Sequence, residues 1–231
     1  MEKSPESDNE NSKKTVKQKS SKKRFGLSDS FSTAHLLARA GEVRLYEVEG
    51  LNEKDIEIAK EILKPGDVVL VGTIGTMSHE QIGGPVTHAM FYLQEGVFLH
   101  SARDGVEKIN QDVVFKKYQT MAILRPKEDY NAEDLTSFAL SQQGKPYDTR
   151  FEMDDDDAFY CTELVARSLE EAGQKINLPP VEPIGILRID GIHPKHFLES
   201  DLEIKFMSHN LNKNKEGKVE YTGYKKLLKP E

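Results

Sequence analysis

The chain has 231 residues, a single cysteine and a net charge of −7, enough for one substantial domain and too little cysteine for an intramolecular disulfide. The acidity is central: residues 1–25 carry eight Lys and Arg against four acidic residues and residues 208–231 six Lys against three, which leaves about −14 on residues 26–207. That balance argues against nucleic acid lying over the folded body, which would need a basic footprint, and no run approaches the ~18 apolar residues of a transmembrane segment.

Residues 1–26 hold almost nothing apolar and are expected to be a disordered basic tail. Its lysines suit at most a weak contact with an anionic surface. No apolar stretch follows them, so the pattern is not a secretory signal. With a lone thiol, the expected compartment is the reducing cytoplasm. Ser30 to Ala40 reads as a short helix, and Asn52 caps a second whose apolar face is Ile56, Ile58, Ala59, Ile62 and Leu63 before Pro65-Gly66 stops it. The period then changes. Asp67 to Gly72 is a buried strand, followed by a loop rich in Gly, Ser and Thr that runs to Pro85.

Val86–Leu93 and Val97–Ala102 form a hairpin, for which Gln94-Glu95-Gly96 is expected as a three-residue loop with Gly96 left-handed. Gly105–Ile109 and Met121–Leu124 read as strands, with a short helix over Gln111–Lys117 between them. Ala132–Gln143 is an amphipathic helix closed by Gly144-Lys145-Pro146. An acidic loop, Glu152–Asp157, leads into a helix that begins at Cys161 and ends near Gly173. Leu202–Met207 adds a last strand, and residues 208–231 are expected as a basic C-terminal tail. One α+β domain over residues 27–207 follows.

The hairpin decides which histidines can cooperate. With a three-residue loop Leu93 faces Val97, Met90 faces His100 and His88 faces Ala102, so His88 and His100 are diagonal neighbours on one face, with Cβ atoms within roughly 7–8 Å. A two-residue loop would put His100 on the other face. Imidazole near neutrality both takes and returns a proton. His35, His79, His193, His196 and His209 have no such setting and are expected at surface or loop positions. Cys161 sits where backbone N–H groups and the helix dipole favour an anion, so its thiol is expected to ionise readily; the alternative is a small buried hydrophobe. Asp154–Asp157 lack the ligand spacing of a calcium loop. Gly72, Gly75, Gly83 and Gly84 lack the Gly-Lys-Ser/Thr ending of a phosphate cradle. No metal and no organic cofactor are expected.

Five segments together carry a resemblance: Pro65-Gly66-Asp67-Val68-Val69-Leu70-Val71, Thr87-His88-Ala89-Met90-Phe91-Tyr92, Phe98-Leu99-His100-Ser101-Ala102, Gly144-Lys145-Pro146-Tyr147-Asp148 and Tyr160-Cys161-Thr162-Glu163-Leu164-Val165. In this order they resemble the circularly permuted, papain-like branch of the NlpC superfamily, within it the YiiX/YebB-like group. The resemblance implies an α+β fold with a small antiparallel sheet packed against helices. It implies Cys161 as nucleophile, His88 as base and His100 as the third polar residue. Tyr147 and Glu163 match recurring motif positions and are candidates for oxyanion or substrate contacts. The expected activity is a cysteine-dependent hydrolase that cleaves an amide or ester through a thioester, on a small-molecule, peptide or lipid substrate. Two alternatives are a lipid acyl hydrolase or acyltransferase using the same thiol, and a catalytically idle binding module tethered by its basic tails. The Asn-Cys-Glu-His-Phe pattern of the lecithin:retinol acyltransferase-like branch is absent, which counts against acyl transfer.

Overall fold

The computed structural model describes residues 43–127, 130–151, 156–180, 182–184 and 189–223. The expected tail over 1–26, the helix over 30–40, His35 and most of the acidic loop lie outside the described residues. No helix among the described residues is long and apolar enough to cross a membrane.

Helix α1, Glu53–Ile62, opens on a reciprocal cap: Asn52 accepts the Asp55 N–H and Asp55 accepts that of Asn52, which satisfies two of the helix's unpaired donors. Strand β1, Val68–Gly72, follows; every one of its residues is buried, because side chains alternate between two covered faces. Thr76, inside the Gly/Ser/Thr-rich stretch expected as loop, caps a short helix α2, Met77–Ile82. Strands β2 (His88–Gln94), β3 (Val97–Ala102) and β4 (Gly105–Asn110) form a meander, α3 covers Gln111–Lys117, and β5 is Thr120–Arg125. Helix α4 (Ala132–Ser141) and helix α5 (Cys161–Glu171) precede a small β6–β7 pair, Glu182–Ile184 and Ile189–Gly191. Helix α6 (Pro194–Leu198), β8 (Glu203–Met207), β9 (Leu211–Lys213) and β10 (Val219–Tyr221) complete the order.

Six strands make one antiparallel sheet in the order β4-β3-β2-β1-β5-β8. On one face Val68, Leu70, Ala89, Phe91, Leu99, Ala122 and Leu124 pack with Leu135 and Ala139 of α4 and Leu164, Val165 and Leu169 of α5. On the other, Val69, Val71, Met90, Phe98 and Ile123 pack with Ala59 of α1 and with Val114, Phe115 and Tyr118 at α3. The antiparallel sheet between helices is the architecture expected from the sequence.

Two expectations are corrected. The domain does not stop at residue 207: Ser208, Asn210, Leu211 and Tyr221 are buried. The Ser208 N–H donates to the Met121 carbonyl at 2.8 Å, and the Tyr221 hydroxyl donates to that of Glu49 at 2.9 Å. Lysines between these positions disguise a β9–β10 hairpin with one apolar side as a basic tail. The β2–β3 loop has two residues, not three: Glu95 and Gly96 both have positive φ, 51° and 74°, as a type I′ turn requires. Gln94 pairs with Val97, yet Tyr92 pairs with Phe98 and Phe91 with Leu99. Leu93 is therefore a bulge, and the extra residue restores the register expected for the two histidines.

Candidate active site

That register brings the histidines together. His88 Nε2 and His100 Nδ1 share a hydrogen bond of 2.8 Å, and the His88 ring stacks on Tyr118 at 6.0 Å between centroids. Burial pushes both imidazoles toward neutrality, aided at His88 by the His100 ring and at both by the nearby Lys117 cation. The His88 pKa falls well below its ordinary value, and that of His100 falls to about 4.

The β2–β3 ladder runs Gln94↔Val97, Tyr92↔Phe98, Phe91↔Leu99 and extends no further toward His88. The segment that delivers the cysteine enters there. Ser101 on β3 donates its hydroxyl to the Phe159 carbonyl at 2.5 Å. Since the Tyr92 N–H is given to Asp67 on the β1 side, alternation along the strand turns the Ala89 N–H toward β3, where it faces the Cys161 sulfur. Cys161 thus lies at the split between the two strands, beside the residue after His88. His88 and Cys161 make no direct hydrogen bond here, so proton transfer needs a further approach of ring and sulfur.

Cys161 is 7% exposed and is the first residue of α5. Against the expectation from its helix position, burial pushes its thiol pKa up, although the N–H groups of Ala89, Thr162 and Cys161 itself and the Thr162 hydroxyl act in the opposite direction. Desolvation of the anion outweighs the helix start, so the resting pair is a thiol and a neutral imidazole.

The first turn is anchored from outside. The Thr162 hydroxyl donates to the Ile192 carbonyl at 2.7 Å. Glu163 is wholly buried, and its carboxylate accepts the N–H of Tyr160 at 3.3 Å and lies 3.6 Å from Arg167 Nη1. Glu163 accordingly caps the start of α5. Burial raises its pKa to about 7, against the opposing pull of the Tyr160 N–H and Arg167. Between the unfolded value of 4.5 and about 7 the folded chain holds a proton that the unfolded chain lacks. The resulting stability, on the order of 3 kcal/mol, is fully present below the unfolded value and lost as pH rises through about 7. The buried histidines act in the opposite direction over the same range, so the effect is read as a difference: in chemical denaturation the stability of the wild type relative to Glu163→Gln is expected to fall between pH 4 and 8.

Tyr147 is brought to the same place by main chain. It bridges Phe159 in parallel, the Asp148 N–H donates to the Phe159 carbonyl and the Phe159 N–H to that of Pro146, both at 3.1 Å. Burial, then the proximity of Cys161, holds its phenol far above its usual pKa, so the hydroxyl remains a donor. Gly105, at φ 100°, lets this segment pass: a Cβ there would run into the Lys145 carbonyl.

Of the other histidines, His79 and His196 differ from expectation, being buried on helices, while His193 lies in a loop and His209 in an exposed turn. His79, His193 and His196 are buried, and His196 Nδ1 accepts the His193 N–H at 3.3 Å in the first turn of α6. His209 is gripped by Asp55 at 2.5 Å and Glu49 at 3.2 Å. These contacts join residues far apart in the chain or depend on burial, which no spacing in the sequence signals. Among the described residues no group of three or more His, Cys, Asp or Glu is arranged to hold a metal ion.

The model of the permuted papain-like amidases, the YaeF/YiiX family C92, matches residues 62–190, a span that contains the two histidines, the cysteine and the strands that position them. The chain belongs to this family. It is therefore a papain-like cysteine hydrolase of the amidase and peptidase type. A solved structure with the same fold is YiiX from Escherichia coli O157:H7, described as a metalloprotein: the TM-score is 0.52 at 14% identity, over 62% of this chain and 97% of that one. No curated protein matches the sequence.

Proposed function

We propose that the amidase works through a thioester on Cys161, with His88 as general base and His100 holding it. The observation that carries this reading is the 2.8 Å bond between His88 Nε2 and His100 Nδ1 beside the cysteine-bearing split. With Nε2 engaged, Nδ1 is the nitrogen left to take a proton. His88 Nδ1 removes the thiol proton as the sulfur attacks the amide carbon. The oxyanion meets the backbone N–H groups at the start of α5 and the Tyr147 hydroxyl. When the C–N bond breaks, the His88 proton passes to the leaving amine, and Cys161 carries the acyl group as a thioester. Water then attacks that carbon, giving one proton to His88; the thioester collapses to a free acid and the thiol is restored.

Incubating wild type and Cys161→Ala with acyl-peptide and acyl-lipid libraries, with intact-mass detection, tests the proposal. The expected result is an acyl adduct on wild type alone, formed from peptide-type amides and localised to Cys161. Adducts formed only from lipid esters would move the activity to acyl hydrolysis, and amide turnover by Cys161→Ala would remove the nucleophile.

A further inference from the structure

A neutral imidazole has one protonated and one bare nitrogen, so the His88–His100 bond can be built in two ways. In the first, His88 carries its proton on Nε2 and donates it to His100 Nδ1. His88 Nδ1 is then bare and can serve as the base, and the proton of His100 sits on its own Nε2. In the second, His100 donates from Nδ1 to His88 Nε2, and the proton of His88 lies on Nδ1. That nitrogen can then accept nothing from a thiol. The relay above works in the first arrangement and fails in the second, although the heavy atoms coincide.

What separates them lies at the far end of His100. Its Nε2 is buried and has no hydrogen-bond partner among the described residues. Strand β4 places Glu107 directly opposite His100, with a carboxylate oxygen 3.8 Å from that nitrogen. The glutamate side chain is half exposed, which leaves it room to close the remaining distance, as hydrogen bonds of resting sites do when substrate binds. A carboxylate facing a protonated Nε2 gains a charge-assisted bond; facing a lone pair, it is repelled. Lys117 and Tyr118, at the end of α3, border the pair from the other side, and Lys117 opposes adding a positive charge to either ring. Position of the proton, rather than charge, is what Glu107 can set.

We infer that Glu107 is a positioning residue of the amidase: it holds the His100 proton on Nε2 and through the shared bond keeps His88 Nδ1 bare. The inference rests on the relay proposed above. Nitrogen-15 correlation spectra of the histidine rings at neutral pH report each proton's location directly, and the rate of Cys161 alkylation by iodoacetamide reports the strength of the base. Wild type is expected to show both rings protonated on Nε2. In Glu107→Leu both protons should move toward Nδ1, and alkylation should slow about tenfold, as when an outer partner of a functional histidine is lost. Glu107→Gln, which keeps a carbonyl oxygen as acceptor, should retain the wild-type protonation and most of the rate. Unchanged ring protonation in Glu107→Leu, or the same loss in Glu107→Gln, would overturn the assignment. His88→Asn in the same alkylation series keeps the two questions apart: a wild-type rate there would sink the relay, while the ring spectra would still decide the role of Glu107.

Discussion

His88→Asn is expected to lower kcat/KM for amide hydrolysis by a factor of 10² to 10⁴, the usual worth of a general base. The loss should be large because the proposed relay gives the thiol proton to His88. Burial raises the Cys161 pKa, so at neutral pH few thiolates exist until a base removes the proton in the transition state. Asparagine retains a hydrogen-bonding group toward His100 and removes only basicity, which makes it a cleaner probe than alanine. The pH profile is a second reading of the same variant. His88 is kept neutral well below the ordinary imidazole range by burial, His100 and Lys117. A base must be unprotonated, so wild-type activity should be lost as pH falls through that lowered value. Its acid limb therefore lies below 6.5. His88→Asn should lack that limb, and stopped-flow alkylation of Cys161 should show the same two differences without any need to know the substrate. An acid limb at the ordinary histidine value would mean that the buried pair seen here opens to water before reaction.

The parts of this site written in local sequence were legible, and those made by distant contacts were not. The spacing of His88 and His100 about a turn containing Gly96 gave the pairing, and the apolar period after Tyr160 gave Cys161 its place at the start of α5. The bulge at Leu93 was invisible, since Leu fits a strand and a bulge equally well; two errors, in loop length and in pairing near the turn, cancelled in the register. The ionisation of Cys161 was misjudged because a helix start is local whereas desolvation depends on everything packed around it. Glu163 illustrates the same limit. Its position three residues after Tyr160 is a capping position, but only the packed surroundings show that the carboxylate is wholly buried. The β9–β10 hairpin was missed because its buried side comes from a few residues scattered among lysines, a pattern too short for a period to emerge.

Asp67→Ala is expected to destabilise the domain by about 3–5 kcal/mol, the cost of breaking a buried ion pair from one side. Asp67 is wholly buried and accepts from Arg125 Nε at 2.6 Å and Nη2 at 2.7 Å. It also accepts the Lys64 N–H at 2.8 Å, while Arg125 Nη2 donates to the Ile62 carbonyl at 3.0 Å. One ion pair thereby ties the end of α1, the entry to β1 and the end of β5. Truncating the aspartate leaves the guanidinium with the Ile62 carbonyl but no counter-charge, and the Lys64 N–H without its acceptor. Replacing both partners removes the stranded charge, so Asp67→Leu combined with Arg125→Met should recover much of the loss, as buried pairs exchanged for apolar residues often do. Urea denaturation of the three proteins measures this directly. Equal loss in the single and double variants would show that the backbone bonds to Lys64 and Ile62, rather than the charge pair, hold this corner. The corner bears on the proposed relay because β1 supports β2 through Val71↔His88: a frayed β1 would release the strand that carries His88.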